Sequence, residues 1–76
     1  MCIAIPMKVI AIDGKYAVCE YEGIRKLARI DFLSEVKVGE YVIIHTGFAI
    51  QKLDIEDALE TIRIYKELTS GQTSEV

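Results

Sequence analysis

Glycine punctuates the first two-thirds of this chain and thereby limits what it can fold into. Gly14, Gly23, Gly39 and Gly47 separate short runs rich in Val, Ile and Tyr, and apolar runs of that length bounded by turn residues form strands. Residues 8–12 read as a first strand, closed by the favoured turn dipeptide Asp13-Gly14. Residues 16–21 form a second, with Ala17, Cys19 and Tyr21 on one face and Val18 and Glu20 on the other. Glu22-Gly23 turns the chain into a third strand over 24–30. Val38-Gly39-Glu40 leads into a fourth over 41–46, and Gly47 marks a bend or bulge before a short fifth strand over 48–53.

The period then changes. Ile55, Ala58, Leu59, Ile62 and Tyr65 follow the spacing of an amphipathic helix, and that stripe is expected to bury itself against the strands. Asp54 is placed to cap the helix, while Glu56 and Asp57 suit the positive end of its dipole. Gly71 is the expected stop, followed by a frayed tail. Ile64 and Leu68 fall on the far side and are expected to be exposed, a candidate surface for a partner. Five short strands and a terminal helix predict a mainly β fold, a small five-stranded OB-like β-barrel with a C-terminal α-helix. One domain spans 1–76, with the barrel over about 1–53, the helix over about 54–69 and the tail over 70–76.

Composition narrows the function. Apolar residues make up 51% of the 76, enough for a packed core, and 9 basic residues against 12 acidic ones give a net charge of −3. That balance argues against a phosphate-backbone binder, which needs a concentrated positive surface. The first residues lack a basic start and apolar h-region, and no run reaches the ~18 to 20 apolar residues of a membrane span. The expectation is a cytoplasmic protein with reduced thiols.

Three residues could carry chemistry. If the initiator Met is removed, Cys2 becomes N-terminal, with thiol and α-amine within chelating reach and the nearby ammonium favouring the thiolate. His45 is the only histidine and ends an apolar strand just before Gly47, where backbone can approach a ligand. Cys19 sits mid-strand between Ala17 and Tyr21 and reads as a small core residue. On composition alone, a terminal residue of no consequence is the simpler reading of Cys2, and a structural role the simpler reading of His45. There is no Cys-x-x-Cys, no His-Glu-x-x-His and no phosphate-binding loop. An autonomous enzyme is poorly supported; a protein lending one or two ligands to a shared site fits better.

Two motifs give these residues a context. Met1-Cys2-Ile3-Ala4-Ile5-Pro6 and His45-Thr46-Gly47-Phe48-Ala49 resemble the two signatures of the HypC/HupF family, Met-Cys-[Leu/Ile]-[Ala/Gly]-[Ile/Val]-Pro and His-x-Gly-Phe-Ala. The likeness spans nearly the whole chain. Many family members have Gly directly after the Pro; this chain has Met7. The resemblance implies a non-enzymatic hydrogenase maturation chaperone that helps assemble an Fe(CN)2CO group with HypD. HypE would be met through the HypC–HypD complex, and the iron group would be delivered to the apo large subunit of a [NiFe] hydrogenase. It also implies Cys2 and His45 as partner- and iron-binding residues, with Pro6, Gly47 and Phe48 as motif support. Iron would be transient and shared with HypD, with no permanently bound cofactor and no nucleic-acid or membrane partner. A thiolate and an imidazole are both suitable iron donors.

The alternative is a small OB-like nucleic-acid-binding module. Tyr16, Tyr21, Tyr41 and Phe48 would stack bases, and Lys8, Lys15, Arg25, Lys26 and Arg29 would meet phosphates.

Overall fold

The computed structural model describes residues 5–73, with side chains through residue 68. Strands β1 (Pro6–Asp13), β2 (Tyr16–Tyr21), β3 (Ile24–Arg29), β4 (Tyr41–His45) and β5 (Phe48–Leu53) precede one helix, α1 (Ile55–Thr73). The strands close into a barrel in the order β1-β2-β3-β5-β4, and β1 pairs antiparallel with both β2 and β4. This is the mainly β, OB-like barrel with a C-terminal helix that the sequence predicts. The observed β1 is longer than the sequence suggests because Pro6 serves as its first residue, opposite Ile43. A strand start tolerates the missing N–H.

Three tight turns make the hairpins. Gly14-Lys15 closes β1–β2 with Asp13 opposite Tyr16. Glu22-Gly23 closes β2–β3 with Tyr21 opposite Ile24, and Thr46-Gly47 closes β4–β5 with His45 opposite Phe48. In the last two turns both central residues have positive φ: 53° and 84° at Glu22 and Gly23, 52° and 86° at Thr46 and Gly47. That is the backbone a two-residue turn needs to match the strand twist. Gly47 is therefore the second residue of a hairpin turn and not a bulge. The bulge lies further along β5 at Ile50, between the pairs Ile44–Ala49 and Ile43–Gln51.

The interior is filled by Met7, Val9, Ala17, Cys19, Ala28, Val42 and Ala49, with Pro6 also enclosed. Barrel width grows with strand number, so a five-stranded barrel is narrow, and the neighbouring strands β2 and β3 line it with the small pair Ala17 and Ala28. No polar side chain is buried among the described residues. Tyr21, Ile30, Leu33, Val36 and Ile44 close around this core.

The helix departs from its predicted stripe. Asp54 stands at the cap, its carbonyl accepting the Ala58 N–H at 2.8 Å. Ala58 is fully buried, with Thr61, Ile62 and Tyr65 half-buried on the same face. Ile55 and Leu59, assigned to the core from periodicity, are 56% and 51% exposed. The buried line of the helix is therefore Ala58–Thr61–Ile62–Tyr65, and Leu59, one residue on from Ala58, is turned about 100° away from it. Ile64 and Leu68 are exposed, as expected. Gly71 lies within α1 and does not stop it; a glycine weakens a helix by roughly 1 kcal/mol without ending it unless its φ turns positive. No helix among the described residues is long and apolar enough to cross a membrane.

Candidate functional site

His45 is the last residue of β4, and its side chain is exposed. The turn after it is fastened on several sides. The Thr46 hydroxyl donates to the His45 carbonyl at 2.7 Å. The Arg29 N–H donates to the Gly47 carbonyl at 2.9 Å, tying the turn to the end of β3, where Arg29 also stands opposite Phe48. Phe48 packs against Phe32, with ring centroids 5.2 Å apart and planes tilted by 34°. His45 thus projects from a short, anchored turn, which suits a ligand that must be presented in one orientation.

Thr46 contributes something more. A β-branched residue at φ 52° is an outlier, because its branched Cβ crowds the backbone in the left-handed region. Such strain persists only where neighbours over-determine the conformation. Gly47, the β4–β5 ladder and the Arg29 tether do so here.

An ionic clamp braces the adjoining segment. Arg29 Nε and Nη2 donate to the two carboxylate oxygens of Asp31 at 2.8 and 2.6 Å, and the guanidinium lies 5.2 Å from the centroid of the Tyr16 ring. The hydrogen bonds from Arg29 hold the Asp31 carboxyl below its usual range, and Asp31 in turn raises the Arg29 pKa further. The remaining charge and ring surface of the nucleic-acid alternative is therefore partly engaged elsewhere. Arg29 is paired, Tyr21 packs on the core and Phe48 stacks on Phe32.

Cys2, with Met1, Ile3 and Ala4, lies outside the described residues. Ile5 and Pro6 bring the chain into β1 at the end of the barrel where β4 finishes, since Pro6 stands opposite Ile43. Pro6 and Met7 are buried there, Met7 as a core residue opposite Val42. Cys19, by contrast, is wholly enclosed, and burial raises its thiol pKa; it is unsuited to metal binding or attack. Among the described residues no three His, Cys, Asp or Glu side chains converge on a possible metal position.

In the structure His45 stands opposite Phe48 across the Thr46-Gly47 turn, and Pro6 enters β1 at the same end. Reading the sequence missed the roles of Thr46, Arg29, Asp31 and Phe32. The Thr46-Gly47 pair between two apolar runs does carry a hairpin signal. The Arg29–Asp31 clamp and the Phe32–Phe48 contact follow no period and become visible only once β3 and β5 meet.

The described part of the site is thus an exposed histidine on an anchored turn of a small closed barrel, beside the start of its first strand. Comparison with known proteins shows which family has this build. The HupF/HypC family profile matches residues 1–65. The chain is 43% identical over 76 residues to the hydrogenase maturation factor HypC of Azotobacter chroococcum mcd 1, spanning 99% of this chain and 88% of that protein. It is 38% identical over 77 residues to the HypC of Helicobacter hepaticus, spanning 99% and 90%. It is 33% identical over 75 residues to the HypC of Rhizobium leguminosarum bv. viciae, spanning 97% and 100%. The chain belongs to the HupF/HypC family, and its role is that of a hydrogenase maturation chaperone.

Proposed function

We propose that this chaperone works in the cytoplasm as a non-enzymatic carrier, assembling an Fe(CN)2CO group together with HypD and passing it to the apo large subunit of a [NiFe] hydrogenase. HypE joins through the complex with HypD. The observation that supports this most is the exposed His45 on its anchored turn, at the end of the barrel where Pro6 leads the chain into β1. In this reading the Cys2 thiolate is the soft donor to an iron carrying strong-field diatomic ligands, and the His45 imidazole is the second. Two donors from one chain leave most of the coordination sphere to the partner and to the diatomics. Such a site holds iron only while the partner is present, and it lets the iron leave when the apo-hydrogenase offers more ligands.

The chain's own residues have separable tasks. Cys2 binds; His45 binds and orients; Thr46, Gly47 and the Arg29 tether keep the imidazole aimed. His45 is exposed, so His45→Ala should leave thermal stability nearly unchanged while lowering iron retained in the complex with HypD and lowering hydrogenase maturation. Iron content of the co-purified complex, read beside a melting curve, checks this. A large loss of stability with normal maturation would assign His45 to the fold instead.

A further inference from the structure

The inward face of β3 is unfinished at one end. Ala28, Lys26 and Ile24 alternate along it, Ala28 opposite the buried Ala17 and Lys26 opposite the buried Cys19. Ala28 is fully buried, yet Lys26 is exposed and Ile24 is 59% exposed. Toward the Glu22-Gly23 turn the barrel therefore opens into a mouth. Ile5, Met7, Tyr21, Ile24, Lys26 and Ile44 line a cavity of about 180 Å³ there. Its walls are apolar or aromatic except at Lys26, and Lys26 has no ion pair among the described residues.

We propose that this mouth receives one bulky apolar side chain of the partner protein, carried on a segment with a carboxylate within reach of Lys26. The inference rests on the partner-binding reading above and adds where and by what chemistry the partner is held. Volume excludes a drug-sized ligand, whose sites occupy roughly 300–1,000 Å³, and suits an occupant the size of one bulky side chain. Apolar walls make the occupant apolar, and a single anchor inserted in a pocket is the usual form of a binding hot spot. Charge complementarity supplies the second element. An ammonium at the rim of an apolar mouth is partly shielded from water once the partner seats, so it rewards an acidic neighbour more than an open surface would. Position agrees, because Ile44, in the wall of the mouth, directly precedes His45, one of the two proposed donors.

The test is a binding titration of purified HypD against the full chain and its variants at low and high salt. Lys26→Glu should weaken binding tenfold or more, Lys26→Arg should bind like wild type, and Ile24→Ser should weaken binding. The melting temperatures should match wild type, since both side chains are exposed. Wild-type affinity should fall with salt, and that of Lys26→Glu should not. If Lys26→Glu and Ile24→Ser both bind as tightly as wild type, the mouth is not the docking site, although the partner reading survives. If wild type itself does not bind HypD, both fall. Should Ile3→Ser shift the Ile24 and Ile44 methyl resonances of the free chain as strongly as HypD shifts those of wild type, the mouth is filled by the chain's own start, which overturns the proposal.

Discussion

The two hairpins β2–β3 and β4–β5 share a backbone and differ in what is attached to it. Each turn has a non-glycine residue in the left-handed region followed by glycine: Glu22-Gly23 in one, Thr46-Gly47 in the other. At the first, Glu22 is unbranched, and its carboxylate meets Lys66 of α1 at 2.6 Å, while the Gly23 N–H donates to Glu20 Oε2 at 2.7 Å. The residue before that turn, Tyr21, packs inward on the core. At the second, Thr46 is branched and strained, and the residue before it, His45, is exposed. One turn fastens the helix; the other leaves His45, the proposed ligand, exposed. Turn geometry is thus generic here, and function follows from the flanking residue and from how firmly the turn is tied down.

Replacing the glycines tests the shared backbone and carries the largest expected effect. Gly23→Ala and Gly47→Ala should each cost about 1–2 kcal/mol, the penalty of a left-handed L-residue. Nothing lies within 4 Å of the added Cβ at either site, so no clash adds to it. Denaturant melts should give similar losses, and only Gly47→Ala should also lower the iron retained per HypD captured. If both variants retain iron equally well, the functional distinction between the turns fails.

Thr46→Asn comes next. Asn tolerates positive φ, so the variant should gain about 1 kcal/mol by releasing strain. Glu22→Asn should gain less, because it relieves a smaller strain and loses the contact with Lys66. Equal gains would show that the branched side chain is not strained in the way the backbone angle implies.

The smallest effects separate the hairpins by pH. Hydrogen bonds from Arg29 depress the Asp31 pKa, so the clamp beside the His45 turn contributes above the unfolded carboxylate pKa and is lost as pH falls through the lower folded value. The Glu22 carboxylate raises the Lys66 pKa, so that contact is intact below the unfolded lysine pKa and is lost as pH rises through the folded value. Both pairs are surface pairs of little weight, so local probes are needed. Phe32 and Phe48 ring resonances should move first in acid, and those of the Ile62 methyls first in alkali. The reverse order would contradict the assignment of clamps.

Most of the barrel was legible because glycine turns and alternating apolar residues are local signals. The bounds of β2 and β5 follow from the sequence directly, and buried Cys19 follows from its neighbours Ala17 and Tyr21. The helix face was not legible to that level. Periodicity identifies the stripe to within about one residue's rotation, and the choice between Leu59 and Thr61 is set by how the helix seats with Ala58 fully buried. A barrel follows from five short strands, but which residues meet where it closes is invisible locally, so the contacts of Arg29 with Gly47 and of Phe32 with Phe48 are not legible in the sequence. At the site, His45, Gly47 and Phe48 were readable as a motif, whereas the strain at Thr46 is a property of the folded turn.

The proposed shared site depends most on Cys2, and one experiment addresses it directly: co-purification of HypD with wild type, Cys2→Ala and Cys19→Ala, scored together with hydrogenase activity. Intact mass of the wild-type chain should show that it begins at Cys2. Cys2→Ala should fold with an unchanged melting temperature, yet lose HypD and yield inactive hydrogenase. Cys19→Ala should lose some stability through a small core cavity while keeping both. If Cys2→Ala still captures HypD and supports active hydrogenase, the shared thiolate–imidazole site is wrong.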